Sequence, residues 1–444
     1  SLGPTSPREF NPGAYTEIEK AFNFDISKPL EPKWADSANI AGGFEMREDT
    51  FEITAGDVPS FEVGPYASQG FGIGSNGFPG FKPQDAGSFS RQNYAFYVDS
   101  ELSPHDNLHF GAAIRFEDYD DFGSTTNWKL TGLWNFTEAW GVRAAASTGF
   151  RAPTVGQNNV RNVTTQFTAT GLQDQATLPP SNAIAKQKGA SPLTPEESVN
   201  LSAGLMFSGD SFFMTLDFYQ IEMTDRISQT SPILLTPQDK ATLLSQGILD
   251  ASSFNSVVYF TNDFDTTTTG ADLVITYKAE ILGGDFDVSW LLNYTTTEVD
   301  KVKERSTSCT NPPPGRTDCP IETMTGGKRR TLEEGLPEFR STLTFNYALD
   351  KFSSLLRFNY YGSYFEDHLQ ANALFIEAGS EITVDIEGSY SFTDSLSASV
   401  GIQNLFDEYP DVNPFATEVG AQYPPTSPMG FNGGYYYARV SYEF

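Results

Sequence analysis

The sequence predicts an all-β fold, a transmembrane antiparallel β-barrel, and three observations carry that prediction. Apolar and polar residues alternate with period two over segments about as long as a tilted strand needs to cross a bilayer, roughly 9 to 11 residues. The connections between those segments alternate in length. The composition suits strands and turns, with 36 Phe, 20 Tyr and 5 Trp beside 38 Gly and 27 Pro in 444 residues.

The alternation runs along the whole chain. Tyr94, Phe96, Val98 and Leu102 alternate with Asn93, Ala95, Asp99 and Glu101, and Leu108, Phe110, Ala112, Ile114 and Phe116 with His109, Gly111, Arg115 and Glu117. Val199 to Phe207, Phe286 to Tyr294 and Tyr436 to Phe444 repeat the pattern. Fifteen strands follow, near 15–28, 38–54, 88–102, 108–119, 127–136, 141–150, 196–207, 211–225, 266–279, 285–297, 337–348, 352–364, 379–392, 396–406 and 432–444. Short connections at 29–37, 103–107, 137–140, 208–210, 280–284, 349–351 and 393–395 are separated by mostly longer ones. Such segregation is the layout of an outer-membrane barrel, and nothing in the physics of a soluble sandwich imposes it.

The charges agree. Arg115, Lys129, Arg143, Asp217, Asp272, Arg357, Asp385 and Arg439 all fall on the polar parity, which faces the lumen. Lys20 and Glu222 fall on the apolar parity; Lys20 is expected to snorkel and Glu222 to sit near a strand end outside the hydrocarbon. Trp128, Trp134, Phe136, Phe392 and Tyr436 suit interfacial girdles.

Other classes are excluded by arithmetic. Lys plus Arg number 28 against 57 Asp plus Glu, a net charge of −29, which opposes nucleic-acid binding. No apolar run reaches the length of a spanning helix, and mean hydropathy is −0.35. The chain begins Ser1-Leu2-Gly3-Pro4, without Met or an apolar signal segment, and reads as a processed product or a piece of something longer. Cys309 and Cys319 flank Pro312-Pro313-Pro314-Gly315, a spacing that suits a loop disulfide in an oxidising compartment better than a metal or redox site.

Gly72-Ile73-Gly74-Ser75-Asn76-Gly77 matches the dinucleotide fingerprint, but Phe78-Pro79-Gly80-Phe81 follows where a helix should open, so it reads as a glycine-rich loop. Phe71, Phe78 and Phe81 either touch ligand or pin that loop, and pinning is the favoured reading. Asp118, Asp120 and Asp121 cluster as calcium ligands would, yet without EF-hand spacing, so a solvated turn is preferred. His105, His109 and His368 are scattered, and no nucleophile has an identifiable base. No enzyme and no cofactor is expected.

Three motifs then occur in a recognisable order. Ser147-Thr148-Gly149-Phe150-Arg151-Ala152-Pro153-Thr154, then Gln403-Asn404-Leu405-Phe406-Asp407 with Tyr409-Pro410, then Tyr442-Glu443-Phe444 resemble the barrel motifs of TonB-dependent outer-membrane receptors. Gly335-Leu336-Pro337 before a strand also resembles that family. The resemblance implies a Gram-negative outer-membrane receptor that imports a scarce small-molecule ligand, energised by the TonB complex. Its implied partners are outer-membrane lipid, lipopolysaccharide and the barrel-assembly machinery, which reads the terminal aromatic.

Ferric siderophore is the family's commonest substrate class; a neutral oligosaccharide docked on loop aromatics, or passive porin-like diffusion, are the alternatives. Phe71, Phe78, Phe81, Arg151, Gln157 and Asn158 are the candidate ligand contacts, although a purely structural role for the Gly149–Thr154 and Asn404–Asp407 motifs is preferred. The plug domain and TonB box of the family are missing. Counting strand directions from periplasmic short turns starts residues 1–14 on the extracellular side. Residues 1–444 are therefore expected to form the C-terminal part of the barrel domain, about 15 strands of a 22-stranded barrel. Parallel pairing of strand 15–28 with strand 432–444 would instead make the chain a complete barrel.

Overall fold

The computed structural model describes residues 1–62, 64–66, 73–74, 79–168, 171–248, 255–307, 319–367 and 374–443. Its main body is one sheet of fifteen strands. In chain order these are β1 Gly13–Leu30, β2 Ser37–Ala55, β3 Gly87–His105, β4 Leu108–Tyr119, β5 Gly123–Asn135, β6 Trp140–Arg151, β7 Glu196–Ser208 and β8 Phe212–Gln229. They continue as β9 Phe260–Ile281, β10 Gly284–Val302, β11 Phe339–Leu349, β12 Phe352–Tyr361, β13 Glu381–Ser391, β14 Leu396–Gln403 and β15 Tyr435–Tyr442. Every strand pairs antiparallel with its sequence neighbour, and β1 and β15 are the two ends of the sheet.

All fifteen expected strands are present. Their upper ends differ most: β8 runs to Gln229 and β9 begins at Phe260, well beyond the alternating segments. There β9 is buried on both faces from Thr261 to Phe264, so alternation disappears although pairing with β8 continues. At the other extreme β14 stops at Gln403, because Asn404 takes φ 52° and turns the chain out of the ladder.

Register fixes which side chains share a face. Arg143 and Asp217 both lie opposite Gly204, and the guanidinium grips the carboxylate at 2.7 and 2.5 Å. Arg115 likewise bridges Glu45 and Glu117, at 2.9 and 2.6 Å. The opposite face carries Phe22, Phe24, Ile26, Phe96, Val98, Ile114 and Val440, all more than half exposed. An apolar exterior over a polar interior is the barrel pattern.

Lys20, on the apolar parity, has partners on the neighbouring strands. It lies opposite Glu48, which lies opposite Gln92, and the three form a ladder in which Lys20 Nζ donates to Glu48 Oε1 at 2.7 Å and Gln92 Nε2 to Oε2 at 3.1 Å. Cross-strand partners on one face satisfy the charge, which a single strand's pattern cannot reveal. Glu222 is bonded along its own strand, accepting from Gln220 Nε2 at 2.8 Å.

Candidate functional site

The short turns lie at one rim of the sheet, and the long connections gather at the other as packed lobes. The largest lobe joins the loops after β6 and β8. Strands Asn162–Thr168, Gly171–Thr177, Ser256–Val258 and Ile233–Leu234 form a separate four-stranded sheet, with Ser256–Val258 parallel to Gly171–Thr177. Helices Ala183–Gln187 and Pro237–Ser245 cover it, and Leu178, Ile184, Leu243, Val257 and Tyr259 are almost fully buried between them. The second helix starts where Thr236 and Asp239 make a reciprocal capping box. Lys188 ties the helices together through Asp239 at 2.7 Å, and Tyr259 Oη donates to the Lys188 carbonyl at 2.5 Å. Burial pushes the Tyr259 hydroxyl up to about 12.

A second lobe follows β10. Helix Gly326–Glu334 begins at the Thr325 cap and seats Lys328 inside, while Met324 packs on Phe264 and Val299 at the tops of β9 and β10. Lys328 Nζ donates to Ser228 Oγ at 2.9 Å and to the Gln229 carbonyl at the end of β8. Burial pushes this ammonium down to about 8, against the opposing pull of Asp263. Arg330 stacks over the Phe365 ring at 4.0 Å and reaches Glu377 at 3.0 Å, connecting this lobe to the hairpin Tyr364–Asp367 and Phe375–Ala378. Arg305 joins the two lobes by donating to the carbonyls of Gly189 and Asn262 at 3.0 and 2.9 Å.

The sequence-predicted contacts occupy two places. Arg151 ends β6 and makes a two-point bond to Glu196 at the start of β7, at 2.6 and 2.7 Å. Gln157 completes the capping box with Thr154 that starts the short helix Val155–Asn159, and the Asn158 backbone N–H bonds back to the Thr154 carbonyl. Phe81 is buried with Phe51, Ile53 and Val155, its ring 4.5 Å from that of Tyr15. These arrangements hold loop ends to strand tops. Phe71 and Phe78 lie outside the described residues. Cys319 opens the short strand Cys319–Ile321, and Cys309 lies outside the described residues.

The motif residues have similar structural duties. Arg91 donates to the Pro153 carbonyl and pairs with Asp49 at 2.9 Å, so the Arg151–Thr154 turn is pinned to β3. Asn404 exchanges hydrogen bonds with both backbone groups of Glu408, and Asp407 accepts the Gly434 N–H at 2.8 Å, which aligns the entry to β15. In the acidic turn, Asp120 accepts the Gln92 N–H at 3.1 Å and Asp121 faces Arg91 at 3.7 Å. Its carboxylates thus serve the fold. Sequence reasoning missed the lobes' own core, because the short strands and helices that build it belong to different loops and have no shared periodicity.

This architecture has close counterparts. The profile of the family described as TonB dependent receptor-like, beta-barrel, matches residues 8–405. A curated relative named probable TonB-dependent siderophore receptor PirA, from Acinetobacter baumannii, is 22% identical over 405 residues, covering 87% of this chain and 47% of that protein. Among solved structures, the siderophore receptor PirA from Pseudomonas aeruginosa superposes with a TM-score of 0.61 at 15% identity, over 97% of this chain and 58% of that one. A mutant of the ferric enterobactin receptor PfeA from the same species gives 0.65 at 14% identity, over 97% and 54%. The chain thus spans about half the length of the relatives it matches. With its strand order, lumenal charge network and lipid-facing exterior, it belongs to the TonB-dependent receptor β-barrel family, transport receptors of the Gram-negative outer membrane.

Proposed function

We propose that this chain is the greater part of the barrel of a receptor that imports ferric siderophore, driven by TonB. The observation that carries the reading is the joint one. A family barrel bears interlocked loop lobes over one rim, and two of the solved structures that align over 97% of this chain are named as siderophore receptors. The barrel supplies the channel wall and the lobes the outer mouth. On this reading further strands of the full protein pair with β1 and β15 to close a barrel of about 22 strands, and its plug and TonB-contacting segment fill the lumen.

The test is uptake of radioactive iron by cells carrying or lacking the full-length gene, offered a panel of chelates under iron limitation. At least one chelate should lose its energised uptake on deletion and on loss of TonB. Unchanged uptake across the panel, with growth on an oligosaccharide lost instead, would overturn the siderophore assignment.

A further inference from the structure

The lipid-facing surface of the barrel has a depression that its own side chains do not fill. Register places Phe110, Gly132, Ala144, Ala203 and Phe218 directly opposite one another across β4 to β8, in one row on the outer face. The row reads large, small, small, small, large. On one side Leu130 and Leu201 stand in a mixed row with Ala112, Ala146 and Gln220, and on the other the row is bulky throughout, with Trp134, Val142, Leu205 and Leu216. The resulting concavity is shallow and largely apolar, with a volume of ≈ 610 Å³, and a second one of ≈ 470 Å³ shares its Gly132–Ala203 floor.

Gly132 gives independent evidence that the space is not consumed by packing. Its φ is unexceptional, and a Cβ built on it would meet nothing nearer than the Phe110 ring at 3.8 Å. Neither backbone strain nor steric crowding demands glycine here. A strand-interior glycine otherwise weakens its strand, so the position is one that leaves room for something approaching the sheet.

We infer that this pit holds an acyl chain of a phospholipid in the periplasmic leaflet. Continuity decides the chemistry. Phe110, Leu130, Leu201 and Phe218 around the pit are each about half exposed and belong to the band that hydrocarbon must cover. Depth decides the leaflet. The row lies two residues from Trp134, which packs edge-on against Phe136, while Trp140 packs against Phe207 beside it. These aromatics mark the interface next to the short turns, which is the periplasmic side. A chain entering from that headgroup level can lie along the row, because tilted strands set it diagonally in the bilayer. Its lining is largely apolar, with Gln220 and Thr269 standing at one edge, so the pit favours hydrocarbon over water.

The test uses the full-length receptor, extracted in mild detergent and examined by native mass spectrometry. Wild-type protein should retain a phospholipid that survives extensive detergent washing, and Gly132→Leu, which fills the pit, should lose most of it. Ala438→Leu, on the lipid face of β15 and away from the pit, should retain it. A photoactivatable acyl chain in reconstituted wild-type protein should label residues around Phe110, Leu130 and Leu201, a measurement independent of any variant's folding. Equal retention by wild type and Gly132→Leu, labelling spread evenly around the barrel, retention of lipopolysaccharide instead, or cross-linking of Gly132→Cys to a second copy would each overturn the assignment.

Discussion

Arg151 and Glu196 close the base of the largest extracellular loop. The guanidinium is half exposed and the carboxylate nearly buried, and Glu196 Oε1 also accepts the Ile227 N–H of β8 at 2.5 Å. One ion pair therefore joins β6, β7 and β8 where the chain leaves the barrel.

Arg151→Ala should loosen the lobe that grows from this junction, at a cost of roughly 1 to 3 kcal/mol, because it strands a buried carboxylate; solvent at the guanidinium keeps the figure below that of a fully buried pair. Hydrogen exchange over residues 174–195 and 255–262 would register it. Arg151→Lys should recover part of the protection. Unchanged exchange in the alanine variant, with ligand binding lost, would make Arg151 a ligand contact instead.

Lys328 should make its lobe sensitive to alkaline pH. Its folded pKa, about 8, lies below the unfolded value, so the folded protein holds fewer protons between those values and stability rises as pH climbs through that window. The penalty is complete below about pH 8 and amounts to roughly 3 kcal/mol at most. Protection of residues 326–334, corrected for intrinsic exchange, should grow from pH 8 to 10 in wild type and stay flat in Lys328→Met. A lobe that weakens over that range would contradict the burial argument.

Val440→Arg should disrupt assembly far more than Arg439→Val. Val440 is 72% exposed on the lipid face, where an arginine costs up to roughly 2 to 4 kcal/mol at mid-bilayer and less toward the short-turn rim, whereas the Arg439 guanidinium lies 5.8 Å from the Tyr437 ring on the other face. Heat-modifiable migration of the full-length variants measures folding yield; equal yields would reverse the assignment of faces.

We expect Cys309 and Cys319 to be joined, since both fall in sequence between β10 and β11, a connection expected on the oxidising outer side of the membrane. Closing so short a loop contributes about 2 to 3 kcal/mol in the chain-entropy model. Neither thiol should react with maleimide in denatured, unreduced protein, and both should after reduction.

The membrane strands were legible in the sequence because the bilayer imposes a rule on each of them separately. Lipid on one side and water on the other force period two, so Phe110 and Arg115 announce their faces without knowledge of any partner. The motif at Asn404 was legible for a related reason: its turn is made by residues near in sequence. What only the tertiary structure decided depends on register between strands. It pairs Lys20 with Glu48, seats Lys328 beneath the end of β8, and sets Gly132, Ala144 and Ala203 in one row between two phenylalanines. It also gives Arg151 and Gln157 structural partners. The loop lobes were hidden for the same reason, since their core comes from segments tens of residues apart whose contacts exist only once the barrel has brought the strand ends together.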